Sequence, residues 1–281
     1  MEWLVPTADG RMLAVEDAGD HDGRPVMVHV GTPGGRRLFG PRTLADAERR
    51  QLRLISYDRP GYGGSTPQPG RSMADCASDV RVICEALGID SLAMWGASGG
   101  GPHVLACAAL LPDLVPAVAS LASPASYDVE GLDWLAGFSP AAVDEVHLML
   151  TDETAARALF RQEREKLLAA PPAEVALGIQ EHAHGAGLAL LTDEVVSIQQ
   201  ALAPGIEGSW DDCVAQLTRG GSTLATYRSR CCCCTAARIG PCHPATVSGW
   251  PRISAASKPG SSTTTGTPCG KATSKTYMPG S

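Results

Sequence analysis

The segment Gly96-Ala97-Ser98-Gly99-Gly100 fits the pattern G-x-S-x-G. A serine with small neighbours at this spacing suits a sharp strand-to-helix turn. Such a turn lifts the hydroxyl clear of the backbone and presents it to an electrophile. Side chains at Gly96 or Gly100 would collide with the tight backbone. The turn would stand above the carboxyl end of a sheet, where open α/β sheets place ligands. The competing reading is a glycine-rich β–α turn that binds phosphate. It lacks support, because no G-x-G-x-x-G is present and no lysine follows to hold a phosphate.

Other polar residues are weaker candidates. Asp58 and Arg59 could contact a ligand, or they could tie down their own loop. His103 lies one or two turns past Ser98, either lining a pocket or as an ordinary partly buried histidine. His182 and His184 are two apart and do not share a helix face, so they make a poor metal pair. His147 reads as helix surface. Trp134, Leu135 and Phe138 either line an apolar pocket or pack helices together.

The elements that must position Ser98 follow from the apolar patterning. Trp3–Val5 and Met12–Val15 flank Ala8-Asp9-Gly10 and predict a hairpin. Val26–Val30 reads as a buried strand ended by Gly31-Thr32-Pro33-Gly34-Gly35. Leu44–Arg50 is a short helix. Leu52–Tyr57 is a second buried strand, stopped by Asp58-Arg59-Pro60-Gly61-Tyr62-Gly63-Gly64-Ser65. Met73–Leu87 has helical spacing and is capped by Gly88. Leu92–Trp95 is a strand leading into Ser98, Val104–Leu111 is a helix, and Val115–Leu121 is a further apolar run. Strands alternating with helices predict an α/β fold, a mostly parallel sheet with helices on both faces. From Asp128 to about Ala203 the pattern becomes helical and charged, as in a helical lid insertion.

Three motifs in order resemble the α/β-hydrolase fold superfamily, in its serine-nucleophile, lid-bearing branch. They are Gly31-Thr32-Pro33-Gly34, then Asp58-Arg59-Pro60-Gly61-Tyr62-Gly63, then the elbow around Ser98. The resemblance covers about residues 1–125 and extends loosely through Trp210-Asp211-Asp212. It implies acyl transfer to water on a small ester, lactone or amide, with Ser98 as nucleophile and an acyl-enzyme intermediate. The backbone N–H of Gly99 and one near Thr32 would form the oxyanion hole, with Gly31, Gly96 and Gly100 as the loop and elbow glycines. Relatives often begin the first loop with His-Gly. Here Val30 precedes Gly31 and His29 stands one place earlier.

The resemblance also implies an acid and a histidine downstream of the serine, and these are not found. Residues 1–212 carry 15 basic and 30 acidic side chains, net −15, whereas residues 213–281 carry 8 basic and none acidic, net +8, giving −7 overall. The only histidine after position 212 is His243, in Pro241-Cys242-His243-Pro244, and no strand is evident there. Seven of the ten cysteines also lie from position 213 onward, four of them at Cys231–Cys234. Four adjacent cysteines cannot easily converge on one tetrahedral zinc.

A shifted reading frame accounts for the run. Cysteine codons are TGT or TGC. Read from the third base into the next codon they give TTG or CTG, both leucine. The same offset permits a Gly-His pair and aspartate-bearing loops farther on. One C lost near the Thr218 and Arg219 codons would produce it. The triad acid and histidine of this chain are therefore unknown.

This reading divides the chain into an N-terminal core (1–125), a helical lid (126–205), a return to the core (206–218) and an out-of-frame, disordered tail (219–281) that leaves the C-terminal part of the core missing. It expects impaired hydrolysis, since the base is absent. Two alternatives stay open: a non-catalytic binder of a small acyl ligand, or a hydrolase core with a metal- or partner-binding cysteine-rich tail. No cofactor or metal is required. The expected partner is a small-molecule substrate, not nucleic acid and not a membrane. The start MEWLVPTADG lacks the basic and apolar regions of a secretory signal, so a cytoplasmic location is expected. Oligomeric state is open.

Overall fold

A computed structural model of the chain describes residues 1–127, 129–180 and 187–218, and the backbone of Arg230–Cys234. Seven strands form one sheet, in the order β1-β2-β4-β3-β5-β6-β7. The strands are β1 (Glu2–Pro6), β2 (Met12–Gly19), β3 (Arg24–His29), β4 (Leu52–Tyr57), β5 (Ala93–Ala97), β6 (Ala117–Leu121) and β7 (Arg230–Cys234). The pairs β1–β2 and β2–β4 are antiparallel, and the remaining pairs are parallel.

The predicted hairpin is present, turning at Gly10 with φ +85°. Its second strand runs four residues beyond Val15, to Gly19. Glu16-Asp17-Ala18-Gly19 carries no apolar alternation and so gave no strand signal. Pairing with β4 decides it: Asp17 opposes Ile55, and its buried carboxylate meets Arg53 Nη2 at 2.8 Å.

Helix α1 (Pro41–Arg49) starts three residues earlier than the apolar pattern suggests, with proline in its first turn. Helix α2 (Cys76–Leu87) ends at Gly88 in the left-handed region, φ +65°, the cap expected there. Helix α3 (Gly100–Leu110) begins directly after the elbow. Its opening glycines are poor helix formers, which hid this first turn from the sequence pattern.

The core lies between the sheet and α2/α3. Val15, Met27, Ile55, Val80, Ile83, Val104, Cys107 and Val115 are all fully buried there. Each such side chain contributes about 1.5–3 kcal/mol relative to remaining exposed. Strand register puts Met27, Met94 and Val118 side by side on this face, and Val28, Trp95 and Ala119 on the opposite one. Met94 is 2% exposed and its neighbour Trp95 is 37% exposed. On that second face α1 packs on β2 and β4.

After β6 the chain forms α4 (Pro140–Thr151), α5 (Glu153–Ala169), α6 (Pro172–Gln180) and α7 (Leu188–Leu202). No strand interrupts them among the described residues, as the helical pattern implied. Helix α8 (Glu207–Leu217) then returns to the sheet.

The C-terminal strand also departs from the sequence expectation. No strand was evident after position 212, yet Arg230–Cys234 pairs in parallel with Ala117–Leu121, so β6 is not the sheet's edge. Cysteine behaves as a small hydrophobe, and an open strand edge offers a row of unpaired backbone groups to any such run. The other tail features, His243 among them, lie outside the described residues, as do His182 and His184. No helix among the described residues is long and apolar enough to cross a membrane.

Candidate active site

Ser98 sits on the turn between β5 and α3 with φ +49°, in the left-handed region that a residue with a side chain rarely adopts. Small neighbours make the turn possible. A Cβ on Gly96 would lie 2.6 Å from the Gly100 carbonyl carbon. A Cβ on Gly100 would lie 2.7 Å from both the His29 carbonyl carbon and the Val30 oxygen. The end of β3 thus presses directly on the start of α3. The Ser98 side chain is exposed, and its hydroxyl has no hydrogen-bond partner among the described residues.

The loop after β3 closes over this turn. A Cβ on Gly31 would stand 3.3 Å from Ser98 Cβ and 3.7 Å from its Oγ. The Thr32–Pro33 peptide is cis. The backbone N–H groups of Thr32 and Gly99 have no partner among the described residues. The Thr32 hydroxyl is committed elsewhere: it donates to Asp212 Oδ2 at 2.9 Å and accepts from Arg59 Nη2 at 3.3 Å. Gln216, one turn beyond Asp212 on α8, places its Nε2 3.0 Å from where a Gly99 Cβ would be.

Beneath the loop lies a buried charged cluster. Asp212 is fully buried and accepts from Arg59 Nη2 (2.6 Å), Arg59 Nε (3.0 Å) and Tyr62 Oη (3.0 Å), while Arg71 Nη1 stands 2.6 Å from its other oxygen. Burial alone would raise this carboxyl's pKa. Arg59 and Arg71 outweigh that and hold it well below the ordinary carboxylate range. Burial likewise disfavours the charged Arg59, and Asp212 reverses the balance, so its pKa is raised. Arg59 also donates from Nη1 to Val30 O (2.8 Å) and from Nη2 to Gly31 O (2.9 Å).

The motif Asp58-Arg59 therefore has two separate tasks. Asp58 ties its own surroundings, accepting from the backbone N–H groups of Arg36 (2.7 Å) and Gly64 (2.9 Å) and pairing with the Arg36 side chain. The bond to Gly64 is the local loop-tying role open to it in the sequence, and the bonds to Arg36 join it to the loop after β3. Arg59 bonds that same loop and also reaches α8.

His103 is fully buried rather than partly so. Its Nδ1 lies 2.9 Å from Gly99 O, which makes Nδ1 the proton-bearing nitrogen by the logic of the network. Its Nε2 stands 3.5 Å from Asp212 Oδ1 without forming a hydrogen bond. Both ring nitrogens thus face inward, away from a role as base for Ser98. His29 is buried too, stacked on His103 with ring centroids 5.8 Å apart, and neither of its nitrogens has a partner among the described residues. Burial lowers the pKa of both rings, to well below 6.5 for His29.

His147 is exposed on α4, as the sequence suggested. Trp134 joins Tyr127 and Phe138 in a half-buried aromatic cluster, with centroids 5.3 and 5.0 Å away, and donates to Ala125 O at 2.7 Å. Leu135 is half-buried nearby in sequence. Among the described residues, no group of three or more His, Cys, Asp or Glu side chains could hold a metal ion.

Sequence reasoning gave Asp212 no individual role. The available signal was the pair Asp211-Asp212 in a helical segment beside Trp210, and both acids are buried. Nothing local says which of them meets Arg59.

This constellation can expose a hydroxyl at a strand-to-helix turn beside two unpaired amides. Residues 24–201 match the family described as the alpha/beta hydrolase fold. A non-heme chloroperoxidase of Streptomyces lividans is 35% identical over 101 residues, covering 36% of each chain. A proline iminopeptidase of Xylella fastidiosa (strain Temecula1 / ATCC 700964) is 30% identical over 108 residues, covering 37% of this chain and 34% of that one. The match thus spans about a third of the length of these curated relatives. Among solved structures, bromoperoxidase from Bacillus anthracis superposes with TM-score 0.58 at 19% identity, covering 83% of this chain and 80% of its own. An esterase from Exiguobacterium antarcticum gives 0.58 at 20% identity, with the same coverage. These structures share the fold. The chain belongs to the α/β-hydrolase fold family.

Proposed function

We propose that this chain derives from a serine-nucleophile hydrolase that acts on a small ester, lactone or amide, and that the chain as it stands is impaired. Ser98 Oγ attacks the acyl carbon, and the alcohol or amine leaves to give an acyl-enzyme that water then cleaves. The Thr32 and Gly99 amides hold the developing oxyanion, each donor contributing about 3–4 kcal/mol in the transition state. The observation that carries this reading is the exposed Ser98 hydroxyl beside the Thr32 and Gly99 N–H groups, all three without a partner among the described residues. Helices α4–α7 act as a lid that sets the acyl pocket, with Trp134 and Phe138 on its wall. No cofactor or metal takes part in these steps.

The impairment follows from the missing base. His103 and His29 are buried and turned inward, and no other histidine or acid is placed to activate Ser98 among the described residues. Loss of the base alone costs about 10⁶ in turnover in a serine protease. The test compares this chain with a version whose reading frame is restored after Thr218. Hydrolysis of short p-nitrophenyl esters and labelling by a fluorophosphonate are expected in the restored chain only, both abolished by Ser98→Ala. Labelling of the restored chain at another residue, or turnover that survives Ser98→Ala, overturns the reading.

A further inference from the structure

The two amides beside Ser98 are useful only if they point at it, and a peptide N–H has no freedom of its own. In a trans peptide the C=O and N–H of one planar unit point in opposite directions. The unit joining Gly31 and Thr32 therefore aims the Thr32 N–H away from whatever holds the Gly31 oxygen. That oxygen is held by Arg59 Nη2 at 2.9 Å, and the preceding one, Val30 O, by Nη1 at 2.8 Å. The guanidinium thus grips two successive carbonyls from below and leaves the Thr32 N–H facing the opposite, open side. The unit joining Ser98 and Gly99 is fixed similarly, because Ser98 O accepts from Gly101 N at 3.0 Å.

Arg59 cannot hold this geometry alone. A buried, uncompensated guanidinium is costly, and its long side chain has many rotamers. Asp212 supplies both the counter-charge and the orientation, accepting from Nε and Nη2 of Arg59. It also accepts from the Thr32 hydroxyl at 2.9 Å, a second grip on the same loop. Asp212 arrives on α8, 180 residues after Thr32. We propose that Arg59 and Asp212 are positioning residues: α8 latches the loop after β3 through this pair, and the latch aims the Thr32 N–H at the acyl oxygen on Ser98. The functional half of this inference rests on the hydrolase reading above, and the structural half does not.

The test uses the full chain and two variants, Arg59→Lys and Asp212→Asn. Lysine keeps the charge but loses the planar fork that spans two carbonyls. Should Asp212→Asn fail to fold, because two arginines lose their partner, Arg59→Lys still decides. The first readout is the backbone order parameter of the Thr32 amide by ¹⁵N relaxation. About 0.85 is expected in the parent and below about 0.6 in the variants, with Gly99 and Met94 unchanged. A merely structural role would loosen all three together.

The second readout is phenylboronic acid binding by the frame-restored chain and by the same variants made in it, because the chain as it stands lacks the base among its described residues. Ser98 Oγ adds to the trigonal boron and its proton passes to solvent, giving a tetrahedral boronate with an oxygen between the two amides. Affinity is expected to fall about tenfold in Arg59→Lys, part of what loss of a whole oxyanion donor costs, and to vanish in Ser98→Ala. A Thr32 amide as rigid in folded variants as in the parent overturns the latch. Ser98-dependent boronate binding that is unchanged in Arg59→Lys overturns the aiming role and leaves the nucleophile standing. If the frame-restored chain binds no boronate, the nucleophile reading fails, and the Thr32 order parameter still decides the latch.

Discussion

A single methyl group at Gly100 tests whether β3 and the elbow touch as described. Gly100 has an ordinary helical backbone, so Gly100→Ala adds no torsional strain. The new Cβ would lie 2.7 Å from the His29 carbonyl carbon and the Val30 oxygen, and closer still to the His29 oxygen. These are backbone atoms at the end of β3 and of the residue that follows it, and they cannot rotate aside. Relief requires α3 to withdraw from β3. Overpacking of this kind costs about 1–3 kcal/mol, which lowers Tm by about 2–4 °C per kcal/mol in a chain of this size class. The reference is the same substitution at Gly178, exposed on α6, where a Cβ meets no atom of the described residues within 4 Å. There alanine improves helix propensity and is worth about 0.5–1 kcal/mol in the opposite direction. The assay is thermal unfolding of both variants beside the parent. A Gly100→Ala protein that melts with the parent, or a Gly178→Ala protein that falls as far, refutes the packing argument.

Three further outcomes follow from the site. With φ +49° at Ser98, the Ser98→Gly protein is expected to be more stable than Ser98→Ala by about 1 kcal/mol, since glycine alone avoids the left-handed penalty. Equal melting temperatures would place residue 98 in an ordinary conformation. The pKa values of His29 and His103 are both lowered, first by burial; Arg59 lowers and Asp212 raises each of them, and His103 also faces Arg71. The unfolded chain takes up their protons near pH 6.5, so their contribution is intact above that pH and is lost as pH falls below it, at about 1.4 kcal/mol per pH unit for His29, whose pKa is held well below 6.5. Urea denaturation at pH 7.0 and 5.5 should show a shallower loss in His29→Phe than in the parent, and identical losses would contradict the buried neutral ring. Thr32→Val keeps the backbone amide but removes a hydrogen bond to the Asp212 carboxylate, a loss of about 1.5–3 kcal/mol in stability by chemical denaturation. An unchanged midpoint would mean that the hydroxyl does not reach Asp212.

Much of the site was legible because it is local. Gly96, Ser98 and Gly100 announce a tight turn through their own steric demands, and the apolar run Leu92–Trp95 announces the strand that feeds it. Gly88 announces the end of α2 for the same reason, since one residue's backbone freedom is enough. The second half of β2 was not legible, because its polar residues are in a strand only through their pairing with β4. Strand β7 was hidden by composition, four cysteines being an unusual way to write an apolar run.

The sequence by itself determined the elbow, the order of strands and helices in the first 125 residues, and the break in composition near residue 213. Each of these depends on neighbours along the chain. Only the tertiary structure decided that Asp212, rather than its buried neighbour Asp211, meets Arg59, Arg71, Tyr62 and Thr32, and that His29 and His103 stack out of reach of water. Those outcomes depend on how α8 is rotated against the sheet and on how closely α3 approaches β3. Both are set by contacts between residues far apart in sequence, for which no local pattern of residue types exists.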